Sequence, residues 1–294
     1  MALNTDEIVA EQQQKIIYEM FIRTADDNYV AARYCYSQKF MVDFLWLSVH
    51  CLEKYMKAIL LLNGQSAKGY GHDIRNLYIA VRTLIASPSP ASDLLPDEMI
   101  KPANLGNNFS WNQEPTEKFV EAVYAGGEAE NRYLVSGFFL FPDALFKLDL
   151  LVFAIRRLCK RLFEINPTCR STNRQVLIND PCLWRLEPVG YLEQAVDGSR
   201  GPDVQRTLVN GNPWFAPPGY SHDTTNLHIA MRMSVLKYTV VDPLRGDPHD
   251  PKTEAAGKVE EWFLENIQIG RRVRDEFEAA CDDARQESST RFTP

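Results

Sequence analysis

The chain has 294 residues, of which 45% are hydrophobic and 24% charged, and its formal net charge is −7. This balance is typical of a folded globular protein and excludes a largely disordered chain. Because the net charge is negative, the molecule as a whole has no general attraction for nucleic acid, and RNA binding would require a local basic patch.

The first part of the chain predicts three helices. Residues 5–63 contain no proline or glycine, which indicates two helices with a break near residues 33–38. In the second helix, apolar residues recur at three- and four-residue steps from Phe40 to Ile59, as on one buried helix face. A similar pattern over residues 74–85 predicts a third helix, with Asp73 as its N-cap.

Further helices are predicted over residues 114–124 and 142–165. Asn166-Pro167 then marks a predicted boundary, which gives a helical bundle over residues 15–165 and a C-terminal extension over residues 166–294. We expect the extension to be mixed in structure and rich in loops, because residues 166–220 contain seven prolines.

Within the extension, short β-like pieces occur at residues 175–178 and 208–209, and residues 231–241 fit either a helix or a strand. The apolar pattern over residues 258–284 predicts one long amphipathic helix, and the last ten residues are expected to fray. The predicted fold class is therefore mainly α.

The six cysteines include no CxxC pair and predict neither a disulfide framework nor a zinc site. His222 and His228 flank Asp223 with a spacing that fits no standard metal pattern, so no metal and no cofactor are expected. Residues 1–15 lack the apolar core of a signal peptide, and no apolar run is long enough for a membrane span. We expect a cytoplasmic protein.

Three segments of the N-terminal part resemble the HEPN family. They are the run Ala-Asp-Asp-Asn-Tyr-Val-Ala-Ala-Arg at residues 25–33, the Glu-Lys-x-x-Lys-Ala core at residues 53–58 and the turn Gly-His-Asp-Ile at residues 71–74. The resemblance implies an up-and-down helical bundle that commonly pairs as a homodimer. It also implies contexts such as RNA cleavage, nucleotide binding, toxin–antitoxin or defence systems, and docking of protein partners.

HEPN ribonucleases carry an arginine followed, after four to six residues, by a histidine. The imidazole moves a proton at the ribose 2′-OH and the guanidinium grips the phosphate, so no metal is required. None of the five histidines has an arginine five to seven positions before it, and Arg245 precedes His249 by one position too few. The motif is absent.

Two residues are candidates for a non-standard catalytic site, His72 and Arg132. Arg132-Tyr133 resembles an Arg-Tyr segment found near the later helices of small HEPN proteins. His72 would act with Arg132 if the helices bring them together, or it would merely fasten the junction between loop and helix through hydrogen bonds to the backbone.

Candidate binding residues are His50, Lys54 and Lys57 on the polar side of the second helix, and Arg157 and Arg161 on one face of a later helix. The two arginines would form a phosphate-binding stripe. The alternatives are a solvated face or a dimer contact for the first group, and solvated charge that complements the helix dipole for the second.

Trp214 and Phe215 lie between prolines and form either an exposed recognition loop or a plug in the protein's own core. Together these features predict a non-catalytic HEPN-like module that binds RNA, a nucleotide or a protein partner in a stress or defence context. The alternative is a metal-independent ribonuclease with an unusual active site. A third possibility is a structural role in which the C-terminal half covers the bundle.

Overall fold

The structure is a computed structural model that describes residues 5–86, 91–102, 111–187, 189–220 and 230–292. The chain forms two compact units. The bundle unit comprises residues 1–127 and 141–229, and the hairpin unit comprises residues 128–140 and 230–294. The division between these units differs from the boundary predicted at residue 166, since the described residues 166–187 and 189–220 belong to the bundle unit. The predicted histidines at 222 and 228 lie outside the described residues.

The bundle unit begins with a long helical segment made of α1 (Thr5–Ile17), a π-helical turn (Tyr18–Arg23) and α2 (Thr24–Ser37). The chain then reverses at Lys39, whose φ of 64° is a left-handed conformation, and enters α3 (Met41–Leu62). The next helix is α4 (Ile74–Ile85). These bounds confirm the predicted break between the first two helices and the predicted third helix.

The remaining helices of this unit are α5 (Thr116–Gly127), α6 (Ala144–Arg156), α7 (Asn173–Asn179), α8 (Tyr191–Val196) and α9 (Pro202–Val209). The two β-like pieces predicted in this region are wrong, because both lie within α7 and α9. The Thr172 side chain accepts a hydrogen bond from Gln175 N at 3.2 Å and caps α7.

Helix α6 is shorter than the helix predicted over residues 142–165. The side chain of Asn63, at the end of α3, forms hydrogen bonds with the backbone in the region after α6. Asn63 donates to the carbonyl of Lys160 at 3.0 Å and accepts from Leu162 N at 2.8 Å, so these groups are held in a turn. Periodicity alone carries no information on such a contact.

Helix α3 lies at the centre of the bundle unit and packs against α2, α4, α5 and α6. Its buried side chains are therefore spread around the helix and include Phe44, Leu45, Val49, Leu52, Met56, Ile59 and Leu60. Helix α5 approaches it closely at Gly127, where an added Cβ would lie 2.5 Å from the carbonyl oxygen of Leu45. Glycine at this position allows the close packing.

The hairpin unit contains an antiparallel pair of strands, β1 (Gly137–Leu140) and β2 (Ala230–Met233), in which Phe139 is opposite Met231. A π-helical turn (Lys237–Val241) and α10 (Asp242–Leu244) follow. Residues 231–241, for which the sequence fitted either a helix or a strand, thus contain a strand and then a helical turn.

Two helices, α11 (Pro251–Asn266) and α12 (Arg271–Phe292), complete the hairpin unit. The prediction of one helix over residues 258–284 is wrong because the chain turns between them, which lets Phe263 and Phe277 pack with ring centroids 5.4 Å apart. Residues 285–292, which were expected to fray, belong to α12, and Ser288 donates to the carbonyl of Gly246 at 2.6 Å.

The described residues are mainly helical with one small two-stranded sheet, which confirms the predicted fold class. Among them, none of the helices combines the length and the apolar character that crossing a bilayer requires.

Candidate functional site

Four polar side chains meet where the turn before α4 touches α3. We call this group, His50, Glu53, Lys57 and His72, the histidine–glutamate cluster. The first three residues stand three and four positions apart on α3, so they share one helix face. Glu53 Oε2 lies 2.9 Å from His72 Nδ1 and 3.5 Å from His50 Nδ1, while Lys57 Nζ lies 2.6 Å from Glu53 Oε1.

The turn that carries His72 is held at both ends. Asp73 caps α4 by accepting hydrogen bonds from Arg75 N at 3.0 Å and Asn76 N at 3.3 Å, which confirms the predicted N-cap. Gly71 has a φ of 55°, and its carbonyl accepts a hydrogen bond from Lys57 Nζ at 2.7 Å. These contacts fix the imidazole of His72 beside α3.

The cluster combines a buried carboxylate with an exposed imidazole. The side chain of Glu53 is 6% exposed, that of His50 21% and that of His72 78%. Burial alone would raise the pKa of the Glu53 carboxyl, but hydrogen bonds from His50, Lys57 and His72 outweigh it and lower this pKa to about 2. An ionised Glu53 favours the tautomer of His72 with its proton on Nδ1, which leaves Nε2 as the basic nitrogen.

The remaining predicted binding residues make internal contacts. Lys54 donates to Asn28 at 2.6 Å, and Arg161 binds Glu164 at 3.1 Å. Arg157 is 5% exposed, and its guanidinium donates to the carbonyls of residues 177, 180 and 181. The structure therefore places Arg157 inside the bundle unit, whereas Arg161 is partly exposed.

Arg132, the second candidate catalytic residue, lies in the hairpin unit and is exposed. Its Nε donates to the carbonyl of Ala129 at 3.1 Å within one short 3₁₀ turn. Since His72 belongs to the bundle unit, a catalytic pair of His72 and Arg132 stays a prediction.

A buried charge network that the sequence did not reveal joins three helices of the bundle unit. Arg156 of α6 lies between Asp26 of α2 and Glu193 of α8, with a closest ion-pair distance of 2.8 Å to each carboxylate. Tyr55 of α3 donates to Asp26, and Leu192 N donates to the same carboxylate at 3.3 Å. Each of the three charged side chains is at most 1% exposed.

A second buried group lies further along α2. Tyr29 donates to Asp149 at 2.6 Å, and Arg33 pairs with the same carboxylate. Arg33 Nε also donates to the carbonyl of Thr207 at 2.8 Å, and Asn212 donates to the hydroxyl of Tyr29 at 2.9 Å. These two networks explain why residues after 166 cluster with the bundle.

The same region contains the two aromatic residues that suggested either a loop or a plug. Phe215 is 1% exposed, and its ring centroid lies 5.7 Å from that of Tyr29 and 5.0 Å from that of Trp184. Trp214 is partly buried. Phe215 therefore fills the core of the bundle unit, and residues after 166 cover the face of α2 that bears Tyr29.

Comparison with known proteins agrees with this helical scaffold. No curated protein and no solved structure matches the chain. Residues 18–111 match the family model described as HEPN domain. The matched range contains α2, α3, α4 and the whole histidine–glutamate cluster, so the predicted resemblance to the HEPN family is confirmed for residues 18–111.

Proposed function

We propose that the HEPN-domain part of the protein is a binding module that holds a nucleotide or RNA at the histidine–glutamate cluster without cleaving it. The observation that carries the proposal is the exposed imidazole of His72, which is anchored on the buried carboxylate of Glu53. An oriented imidazole is a good hydrogen-bond partner for a phosphate, a ribose hydroxyl or a base edge. Homodimer formation and a stress or defence setting remain predictions from the family.

The contacts of three arginines in the bundle unit support the proposal that RNA is bound and not cleaved. Arg75, on the first turn of α4, pairs with Asp73 at 2.9 Å and stacks 4.0 Å from the centroid of Tyr124. Arg156 and Arg157 at the end of α6 are buried and bound to carboxylates or carbonyls. Each of these three guanidiniums makes internal contacts. In HEPN ribonucleases the arginine of the Arg-x4–6-His motif, which this chain lacks, instead forms hydrogen bonds with the phosphate.

One observation favours the second candidate function, a metal-independent ribonuclease. The rings of His50 and His72 are 5.9 Å apart between centroids, and both approach the carboxylate of Glu53. Two imidazoles at this separation suit a general base and a general acid that act on one phosphodiester. Cleavage would then depend on this pair.

One experiment separates the two functions. End-labelled RNA is incubated with the protein in the presence of EDTA, and binding is followed by fluorescence anisotropy while the length of the RNA is read on a gel. We expect intact RNA, and binding that His72→Ala weakens roughly ten- to hundredfold, since a hydrogen bond to a charged group is worth roughly 1.5–3 kcal/mol.

The matched control is His249→Ala, which removes an exposed histidine from the hairpin unit. It should bind RNA as the wild type does. Cleavage that disappears in the variant at His72 would overturn the non-catalytic proposal in favour of the ribonuclease. Loss of cleavage in Arg132→Ala as well would add that residue to the active site. Equal RNA binding by wild type and the variant at His72 would remove the cluster as the binding site.

A further inference from the structure

The histidine–glutamate cluster has a property that neither the family nor the proposed function contains. One nitrogen of His50, one nitrogen of His72 and one carboxylate oxygen of Glu53 lie within 4.8 Å of one another. We propose that these three side chains bind one divalent transition-metal ion, and that Zn²⁺ is the ion that fits them best. The inference stands independently of whether the cluster binds RNA.

The distances between the donor atoms are close to those of a zinc site. Glu53 Oε2 is 2.9 Å from His72 Nδ1 and 3.5 Å from His50 Nδ1. A tetrahedral Zn²⁺ with bonds of about 2.0–2.1 Å separates its ligand atoms by roughly 3.3 Å. The two distances to Glu53 lie on either side of this value, and the three donor atoms together lie within 4.8 Å of one another.

The donors also have the chemistry that zinc prefers. Two imidazole nitrogens and one carboxylate oxygen are common ligands of Zn²⁺, whereas Mg²⁺ and Ca²⁺ prefer oxygen ligands alone. A neutral histidine becomes a ligand through Nδ1 when its proton sits on Nε2, so metal binding would replace the hydrogen bond from His72 Nδ1 to Glu53 and move the remaining proton to Nε2. His72 is largely exposed, so water can solvate that proton.

Surrounding residues hold two of the ligands in place. Lys57 occupies Oε1 of Glu53 at 2.6 Å, which leaves Oε2 as a single-oxygen ligand and orients the carboxylate. The ring of Trp46 packs against that of His50 with centroids 4.1 Å apart. The positive charge of Lys57 also repels a cation, so it lowers the affinity for metal below that of an otherwise equal site.

The site would be of the open type. Its three protein ligands leave one tetrahedral position unfilled, and the ring of His72 is 78% exposed, so solvent reaches this side of the cluster. Open positions on zinc take water or an anionic oxygen. A phosphate oxygen is therefore the ligand class that the metal-loaded cluster would accept in that position.

The test is a zinc titration of chelator-treated protein against a chromophoric chelator, supported by the visible absorption of Co²⁺. All proteins carry Cys169→Ser and Cys182→Ser, because exposed thiols also bind zinc. We expect one equivalent of Zn²⁺ in this background and in the control His249→Ala. His72→Ala should weaken binding at least a hundredfold, and its exposed position makes a folding defect unexpected.

Two further variants sharpen the test. His50→Ala should also lose the ion, with circular dichroism as the check on folding. Glu53→Gln should also bind Zn²⁺ more weakly, because a neutral amide is a poorer zinc ligand than a carboxylate. No bound zinc in the background protein, or equal affinity with and without the side chain of His72 or of Glu53, would overturn the proposal. RNA binding measured in EDTA is unaffected by any of these outcomes, so the two proposals fail separately.

Discussion

Replacement of Arg156 by methionine tests whether the arginine at the end of α6 supports the fold or a ligand. Its guanidinium makes ion pairs with Asp26 and Glu193 and is 1% exposed. Methionine keeps much of the aliphatic volume and removes the charge. Two carboxylates would then be left buried with no compensating cation, and burial already raises the pKa of the Asp26 carboxyl although Arg156 lowers it.

The expected loss of stability is large. Breaking a buried ion pair by removal of one partner costs about 3–5 kcal/mol, because an uncompensated charge remains in the interior. The same carboxylate of Asp26 also accepts from Tyr55 and from Leu192 N, so the loss extends to contacts of α3 and α8. For a unit of this size, such a loss lowers Tm by roughly 10 °C.

Urea unfolding followed by circular dichroism measures the effect, with Arg161→Met as the matched control. Arg161 stands five residues further on, is 32% exposed on its side chain and makes one surface ion pair, for which we expect a change below about 1 kcal/mol. Addition of Asp26→Asn to the Arg156 variant should recover part of the loss, since it removes one of the unpaired carboxylates.

The reasoning would be refuted if the Arg156 variant unfolded within about 1 kcal/mol of wild type at an unchanged m value. It would also be refuted if the same variant kept its stability and lost RNA binding, because the arginine would then serve a ligand. A two-step transition would require each step to be analysed separately, since the chain has two compact units.

Three further outcomes follow from the structure. The folded state holds the pKa of Glu53 at about 2, below the ordinary 4.5, because hydrogen bonds outweigh the opposing effect of burial. The stability that the ionised Glu53 carboxylate contributes is therefore complete above pH 4.5 and is lost as the pH falls towards 2. The free energy of unfolding, measured with urea between pH 5 and pH 2, should therefore fall further for wild type than for Glu53→Gln, by about 1–3 kcal/mol overall. Equal falls would contradict this. Gly127→Ala should destabilise the bundle unit by about 1–3 kcal/mol, because the new Cβ would lie 2.5 Å from atoms of α3. Gly257→Ala is the control: it lies in a helix with open space around it and should be neutral or stabilising. Urea unfolding measures both variants. A thiol reagent should modify the exposed Cys169 rapidly in the native protein. Cys159 should react only after unfolding, because it is buried and burial raises the pKa of its thiol. Rapid reaction of Cys159 in the native protein would contradict this.

Features that depend on neighbours along the chain could be predicted from the sequence. The bounds of α4, its Asp73 cap and the apolar face of α3 follow from local patterns and confirmed the expected elements. The family match over residues 18–111 also agrees with motifs that could be seen in the sequence.

Features that depend on distant residues could not be predicted in this way. Helix α6 ends at Arg156, and Asn63 binds the backbone that follows it. A turn separates α11 from α12 and brings Phe263 against Phe277. Hydrophobic periodicity reports which face of an element is buried and says nothing of which remote group competes for its backbone.

The candidate site shows the same division. The spacing of His50, Glu53 and Lys57 on one face of α3 is fixed by the sequence, because a helix places such positions together. Only the tertiary structure decides that His72 reaches the same carboxylate and that Arg157 is buried, away from solvent. Charge and residue type are properties of the sequence, whereas burial and the sharing of one carboxylate by remote side chains exist only once the helices have packed.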